Sequence, residues 1–259
     1  MQLVDTHCHL TFPQYDQDRD EVIEAVFSSG IVWVLNACSH ISDLPKMKDL
    51  RDKYPDKVFL SIGIHPHYAS QVGAVEFSQV EKELDEGGFV AIGEVGIDLF
   101  RNEARLEDQI NLLVWFIKVA KDRGLPLIFH CRDAEKELLS VLDDLDVKGG
   151  FVVHCFSGGV GFAKDVLDRG GMLSFTANCT YKKSEPIREA IKFVPLDRIM
   201  LETDSPYLPP QSQRGKRNDP RAVIEVAKMV AELKSMQLEK VAEITTGNAE
   251  RFFRGEDGC

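Results

Sequence analysis

The sequence predicts an α/β fold, a (β/α)8 TIM barrel running over residues 1–259 as one domain, and three observations carry that expectation. Short β-rich runs alternate eight times with longer amphipathic segments. The runs are apolar at consecutive positions, as in a parallel sheet covered by helices on both faces. Polar side chains follow nearly every run, whereas an open doubly wound sheet gathers its site at one switch point. A length of 259 residues suits one such barrel, and no linker, low-complexity tract or short repeat interrupts it.

The first run is Leu3-Val4-Asp5. Residues 16–29 follow at helical spacing, Val22 with Val26 and Ile23 with Phe27, and Gly30 ends them. Residues 31–35 form the second strand and 42–53 its helix. Residues 58–62 form the third, with a helix over 76–86 closed by Gly87-Gly88. The fourth strand is 89–92, and the longest helix, 106–123, is stopped by Gly124 and Pro126. Strands at 127–129, 151–153, 172–175 and 199–201 complete the set. Helices at 134–145, 161–169 and 185–193 separate them, and two more at 220–234 and 239–252 close the chain.

Composition narrows the function. Hydrophobic content of 44% and charged content of 28% are ordinary for a soluble globular chain. No apolar run approaches the roughly 18 residues of a membrane span, so no membrane partner is expected. The chain opens in a strand without a basic leader, so no secretory signal is expected. Six cysteines, none in C-x-x-C, argue against a disulfide framework and a zinc ribbon, and a reducing cytoplasm is the expected compartment. A net charge of −11 argues against a broad basic DNA-binding surface. It leaves room for a nucleic-acid enzyme, because bound dications supply positive charge where a phosphate sits.

His7 and His9, one residue apart at a strand end, point to the same side. Imidazole suits zinc, manganese and iron, and two rings on one face are half a metal shell. Later strands end in further ligands: His65 with His67 beyond it, then Glu94, His130, His154 and Asp204. Of the seven histidines only His40 falls away from such an end. In a barrel these ends share one face, where catalytic sites form. A single histidine there is usually a packing or surface group, Glu94 alone a residue near a helix start, and Asp204 alone a turn residue before Pro206. His7, His9, His130, His154, Glu94 and Asp204 together outnumber the ligands of one tetrahedral zinc. Two ions use them all, with His7, His9 and Asp204 on one, Glu94 bridging, and His130 with His154 on the other. Such ions sit about 3.5–4 Å apart, clamp the attacking and leaving oxygens, and lower the pKa of water to about 7. Asp204 is also suited to take the proton from that water. Glu202, two residues earlier, is either a partner behind the ligands or a buried, hydrogen-bonded acid.

Three stretches carry a family likeness: Val4-Asp5-Thr6-His7-Cys8-His9-Leu10, Pro126-Leu127-Ile128-Phe129-His130-Cys131-Arg132 and Leu201-Glu202-Thr203-Asp204-Ser205-Pro206. Gly63-Ile64-His65-Pro66-His67, Gly93-Glu94-Val95-Gly96-Ile97-Asp98 and His154-Cys155-Phe156-Ser157-Gly158 add to it. Over essentially its whole length the chain resembles the TatD metal-dependent deoxyribonucleases of the amidohydrolase superfamily. The resemblance implies a TIM barrel, a divalent metal site, and phosphodiester hydrolysis of DNA, often as a 3′-5′ exonuclease. It puts the metal ligands on the same six residues. Relatives with a carbamylated lysine bridge carry Lys after the fourth strand, so Glu94 separates this chain from the phosphotriesterase-like branch. Thr11 stands where relatives usually have Asp or Asn, and Lys136 where an acid is common.

Substrate contacts are expected from His65, Arg132, Lys182 and Arg214. His65 suits a phosphate oxygen or the leaving alkoxide, or else a structural bond within its Gly-His-Pro turn. Arg132 suits a phosphate, or an ion pair with Asp133 or Glu135. Lys182 and Arg214 belong to two basic loops, 181–183 and 214–217, on the rim. Phe12, Phe100 and Phe156 are candidates to stack bases or to pack. Cys8, Cys131 and Cys155 each follow a ligand, so alternation turns them into the barrel wall. The sequence therefore reads as a hydrolase with two divalent ions (Mg, Mn or Zn) acting on DNA, at single strands or 3′ ends, with no obligate protein partner. One rival is a small-molecule amidohydrolase, esterase or lactonase on the same site. The other is a non-catalytic binding protein on a barrel scaffold.

Overall fold

The computed structural model describes residues 1–101 and 103–255. The last four residues of the expected span, 256–259, thus lie outside the described part, as does residue 102. Among the described residues eight parallel strands pair in chain order: β1 (Leu3–Cys8), β2 (Ile31–Asn36), β3 (Val58–Ile62), β4 (Ala91–Asp98), β5 (Leu127–Arg132), β6 (Phe151–Val153), β7 (Met172–Phe175) and β8 (Ile199–Leu201). Helices cover them: α1 (Arg19–Ser28), α2 (Leu44–Lys53), α3 (Ala74–Glu86), α4 (Leu106–Arg123), α5 (Glu135–Asp144), α6 (Val160–Asp168), α7 (Glu185–Phe193), α8 (Val223–Lys234) and α9 (Leu238–Arg254). The order is that of a (β/α)8 TIM barrel. None of the described helices is long and apolar enough to cross a membrane.

The seam between β8 and β1 is drawn together at its C-terminal end. Cys8 and Ser205 form a parallel bridge, His9 N–H donates to Ser205 O at 2.8 Å, and Asp204 N–H donates to His7 O at 2.9 Å. Buried Asp5 reinforces it. Its Oδ1 accepts the Thr203 and His7 N–H groups at 2.9 and 3.2 Å, and its Oδ2 meets Thr203 Oγ1 at 2.5 Å.

Two apolar layers follow from strand alternation. The larger lies between strands and helices. The smaller fills the lumen with Val4, Trp33, Leu35, Ala91, Ile128, Val152, Met172 and Met200, joined by Ala249 and Phe253 of α9. These lumen residues sit low on their strands, so α9 plugs the N-terminal mouth and leaves the C-terminal mouth to polar groups. Thr246 Oγ1 donating to Gln2 O, and Asn248 Nδ2 donating to Leu196 O and Ile199 O, fix α9 there.

Several strands run further than their apolar residues suggest, β2 by the single residue Asn36. β1 continues to Cys8, β5 to Arg132, and β4 begins at Ala91 and reaches Asp98. Polar residues continue the strands because they line the lumen. His7, Glu94 and His130 therefore sit within strands rather than after them. Two bulges matter here. Pairing advances from Asp5 to Cys8 while β2 advances only from Val34 to Asn36, and from Ile92 to Val95 while β5 advances from Leu127 to Phe129. Each extra residue reverses the side-chain parity. Val4 and Thr6 face the lumen, then His7 and His9; Ala91 faces it, then Glu94 and Asp98. The helix read over 16–29 starts at Arg19, after a 3-10 turn at Pro13–Tyr15, and the one read from 220 opens as a 3-10 turn, Pro220–Ala222.

Candidate metal centre

Glu94 stands at the centre of the C-terminal mouth, 3% exposed. Its Oε2 lies 3.4 Å from His7 Nε2 and 3.9 Å from His9 Nε2. Its Oε1 lies 2.7 Å from His130 Nδ1, 2.8 Å from His154 Nε2 and 3.4 Å from His65 Nε2. Asp204 Oδ1 is 3.4 Å from His9 Nε2 and 4.0 Å from His7 Nε2. Among the described residues three sets of ligand atoms lie close enough to hold a cation: His7, His9 and Asp204; His65, Glu94 and His130; and His7, His154 and Glu202.

The donor chemistry fits divalent metal. The Nε2 atoms of His7 and His9 face each other at 3.3 Å. Bonds of about 2.0–2.1 Å to a tetrahedral zinc put neighbouring ligand atoms about 3.3–3.4 Å apart. With a cation bound, protons on the far ring nitrogens would leave lone pairs on the inner ones. His9 Nδ1 meets Ala37 O at 3.1 Å, and a carbonyl only accepts, so His9 Nε2 is free. His130 Nε2 meets Asp98 Oδ2 at 3.1 Å, and His154 Nδ1 lies 3.3 Å from Glu202 Oε1. His65 is different. Its Nδ1 accepts the His67 N–H at 3.2 Å, so the neutral ring carries its proton on Nε2 and presents a donor to Glu94.

Charge follows from the same contacts. Burial opposes ionisation of Glu94, but the imidazoles of His154, His65 and His130 outweigh it and hold the carboxyl well below its usual range. Burial likewise opposes Asp204, and His9 foremost keeps it low. Burial also opposes a charge on His154, yet Glu94 and Glu202 raise it well above the ordinary imidazole value. Burial lowers His65 to about 4, so it is neutral.

A cavity of about 810 Å³ opens over this cluster. Arg132 lines it, with its guanidinium 3.8 Å from the centre of the Phe100 ring. Among the described residues Arg132 makes no ion pair with Asp133 or Glu135. Arg214 lines the opposite side over the Tyr181 ring at 4.4 Å, with Lys216 beside it. Lys182 is exposed and lies outside the cavity wall; its backbone N–H reaches Gln211 Oε1. Arg217 is engaged elsewhere, bonded to Asp18 at 2.6 Å. Glu202 lies behind His154, buried, accepting the Cys155 N–H at 2.5 Å. Phe12 stacks on His9 and lines the cavity, whereas Phe156 is buried against Phe162. Cys8 is buried as alternation requires, and Cys131, also buried, still borders the cavity. Cys155 departs from it. A φ of 47° leaves it half-buried on the cavity wall, with Sγ 3.8 Å from Thr176 Oγ1.

The sequence reading placed His67 beyond a strand end and Asp98 in the stretch 93–98 without giving either a role, and it did not single out Gln109. Asp98 Oδ2 contacts both His130 Nε2 and His67 Nε2. The available signal was its place four residues after Glu94, on the same strand face.

A family model described as TatD related DNase matches residues 4–254. YabD of Bacillus subtilis, described as an uncharacterized metal-dependent hydrolase, is 34% identical over 253 residues, spanning 97% of this chain and 99% of that one. The 3′-5′ ssDNA/RNA exonuclease TatD of Erwinia billingiae is 30% identical over 258 residues, spanning 97% and 99%. The crystal structure of YjjV, a TatD homologue from Escherichia coli K12, superposes with a TM-score of 0.90 at 28% identity, covering 97% of each chain. The barrel, the histidine and carboxylate cluster in its mouth and these matches agree, and the chain belongs to the TatD family of metal-dependent hydrolases.

Proposed function

We propose that this protein hydrolyses phosphodiester bonds in DNA, at single strands or 3′ ends, with two divalent ions (Mg, Mn or Zn). His7, His9 and Asp204 would hold one ion and His130 and His154 the other, with Glu94 serving both. The observation that carries this is the split of Glu94, one oxygen facing His7 and His9 and the other facing His130 and His154. Bound ions supply a water nucleophile at neutral pH and offset charge at phosphorus.

The chain's own residues do the rest. Asp204, ionised and 17% exposed at its side chain, reaches the cavity and accepts the proton of the attacking water. His65 Nε2–H donates to a phosphate or leaving oxygen. Arg132, braced on Phe100, and Arg214, braced on Tyr181, hold flanking phosphates from opposite sides of the mouth. Lys182 lies further out and would meet only a longer strand. The exonuclease name of the Erwinia relative supports a nucleic-acid substrate.

The test is single-stranded DNA labelled at its 5′ end, incubated with Mg²⁺ or Mn²⁺. Wild-type protein shortens it from the 3′ end, while folded Glu94→Ala and Asp204→Ala leave it intact. Cleavage by both variants at the wild-type rate overturns the reading. Turnover of a panel of amides, esters and lactones, without DNA cleavage, assigns the site to small molecules instead.

A further inference from the structure

We propose that Asp98 is a positioning residue that sets the affinity of the ion held by Glu94, His130 and His154, and that Gln109 of α4 holds Asp98 in place. The inference rests on the paired-ion reading above. Asp98 ends β4, is 1% exposed, and lies beside the cluster without facing its centre. Its Oδ2 is 3.1 Å from His130 Nε2 and 2.9 Å from His67 Nε2, and its Oδ1 accepts the Arg101 N–H at 2.9 Å.

A neutral imidazole carries one proton. A carboxylate only accepts, and Glu94 Oε1 at 2.7 Å and Asp98 Oδ2 at 3.1 Å face the two nitrogens of His130. With a cation in place of the proton on Nδ1, Asp98 would keep the remaining proton on Nε2 and the Nδ1 lone pair turned to the ion. Without Asp98 the other tautomer and a rotated ring compete. His67 braces the same oxygen from a second direction, so the carboxylate has little freedom to swing.

The backbone of Asp98 needs support of its own. β3 pairs with β4 only at Ala91 and Ile92, so the upper part of that β4 edge lacks a strand neighbour. Gln109, 1% exposed, substitutes for one. Its Oε1 accepts the Asp98 N–H at 2.8 Å, and its Nε2 donates to Asp98 O at 3.2 Å and Ala104 O at 2.8 Å. The chain of control thus runs from α4 through Gln109 and Asp98 to His130.

The experiment titrates metal-free protein with Mn²⁺ and with Zn²⁺ against a chromophoric chelator, with circular dichroism to follow folding. Wild-type protein shows two classes of site. Asp98→Asn weakens one class about 10–100-fold and leaves the other within about twofold. Gln109→Leu weakens the same class by about 3–10-fold, a smaller effect because Asp98 is loosened rather than lost. In a His130→Ala background Asp98→Asn adds nothing, because the two act through one ring. Two wild-type classes unchanged by Asp98→Asn, or losses additive with His130→Ala, overturn the inference alone. If Asp98→Asn does not fold, equal weakening of both classes by Gln109→Leu overturns it. A single wild-type class overturns the paired-ion reading together with it.

Discussion

Glu94 offers one oxygen to each of two imidazole groups, and only a carboxylate can do so. An amide of the same size must turn a donor toward one group. Glu94→Gln is therefore expected to bind metal at least about a hundredfold more weakly, checked by metal analysis after dialysis. His65 makes a contrasting prediction. Its neutral Nε2–H acts as a hydrogen-bond donor, and a glutamine amide also donates. His65→Gln should retain about 10–100-fold more activity than His65→Ala, read as kcat/KM on labelled DNA. If the two variants are equally impaired, His65 does more than donate. The cluster of six residues proposed as ligands was legible because imidazoles and acids at the ends of apolar runs have few structural uses. Asp98 and Gln109 were not, because an acid closing a strand and a glutamine on a helix are common, and only the folded contacts join them. Cys155 misled because alternation assumes extended backbone, and its left-handed φ breaks that assumption.

Among elements, β4 departs most from its sequence reading. Residues 89–92 were the apolar part, but the strand spans Ala91–Asp98. The bulges in β1 and β4 were not legible, because parity depends on the neighbouring strand's register and not on the strand's own sequence. Gly96 makes the close approach of β4 to β5 possible. It has φ +153°, and a Cβ there would lie 1.9 Å from His130 O. Gly96→Ala should cost about 2–4 kcal/mol in urea unfolding and lower metal affinity, because the backbone bearing His130 must move. A stability within error of wild type would contradict this. At the rim, Arg217 ties the loop after β8 to Asp18 before α1 and holds that carboxyl below its ordinary 3.8. A depressed acid contributes stability above its unfolded value and loses it as the pH falls through the folded one. Asp18→Asn should therefore cost under about 1 kcal/mol at neutral pH, with the difference vanishing in the acid range below 3.8.

On the scale of the whole molecule the barrel divides its labour between its ends. The polar mouth holds the histidine and carboxylate cluster, and α9 with Phe253 closes the other. Phe253→Ala should cost about 3–5 kcal/mol, while metal binding and kcat per folded molecule stay unchanged. A fall in kcat would show that the two ends are coupled. The barrel itself was legible, since eight alternations of apolar run and amphipathic helix leave few other arrangements. The plug was not, because the last helix looks like any other amphipathic segment until its partners are known.

The seam also orders events in time. Asp5 grips Thr203 across 198 residues of chain. During synthesis from the N-terminus, His7 and His9 emerge early and wait for Asp204 until the eighth strand is made. A ribosome-bound fragment ending before residue 199 lacks Asp204, one of the groups proposed to hold the first ion, so capture of that ion would belong to the final stage of maturation.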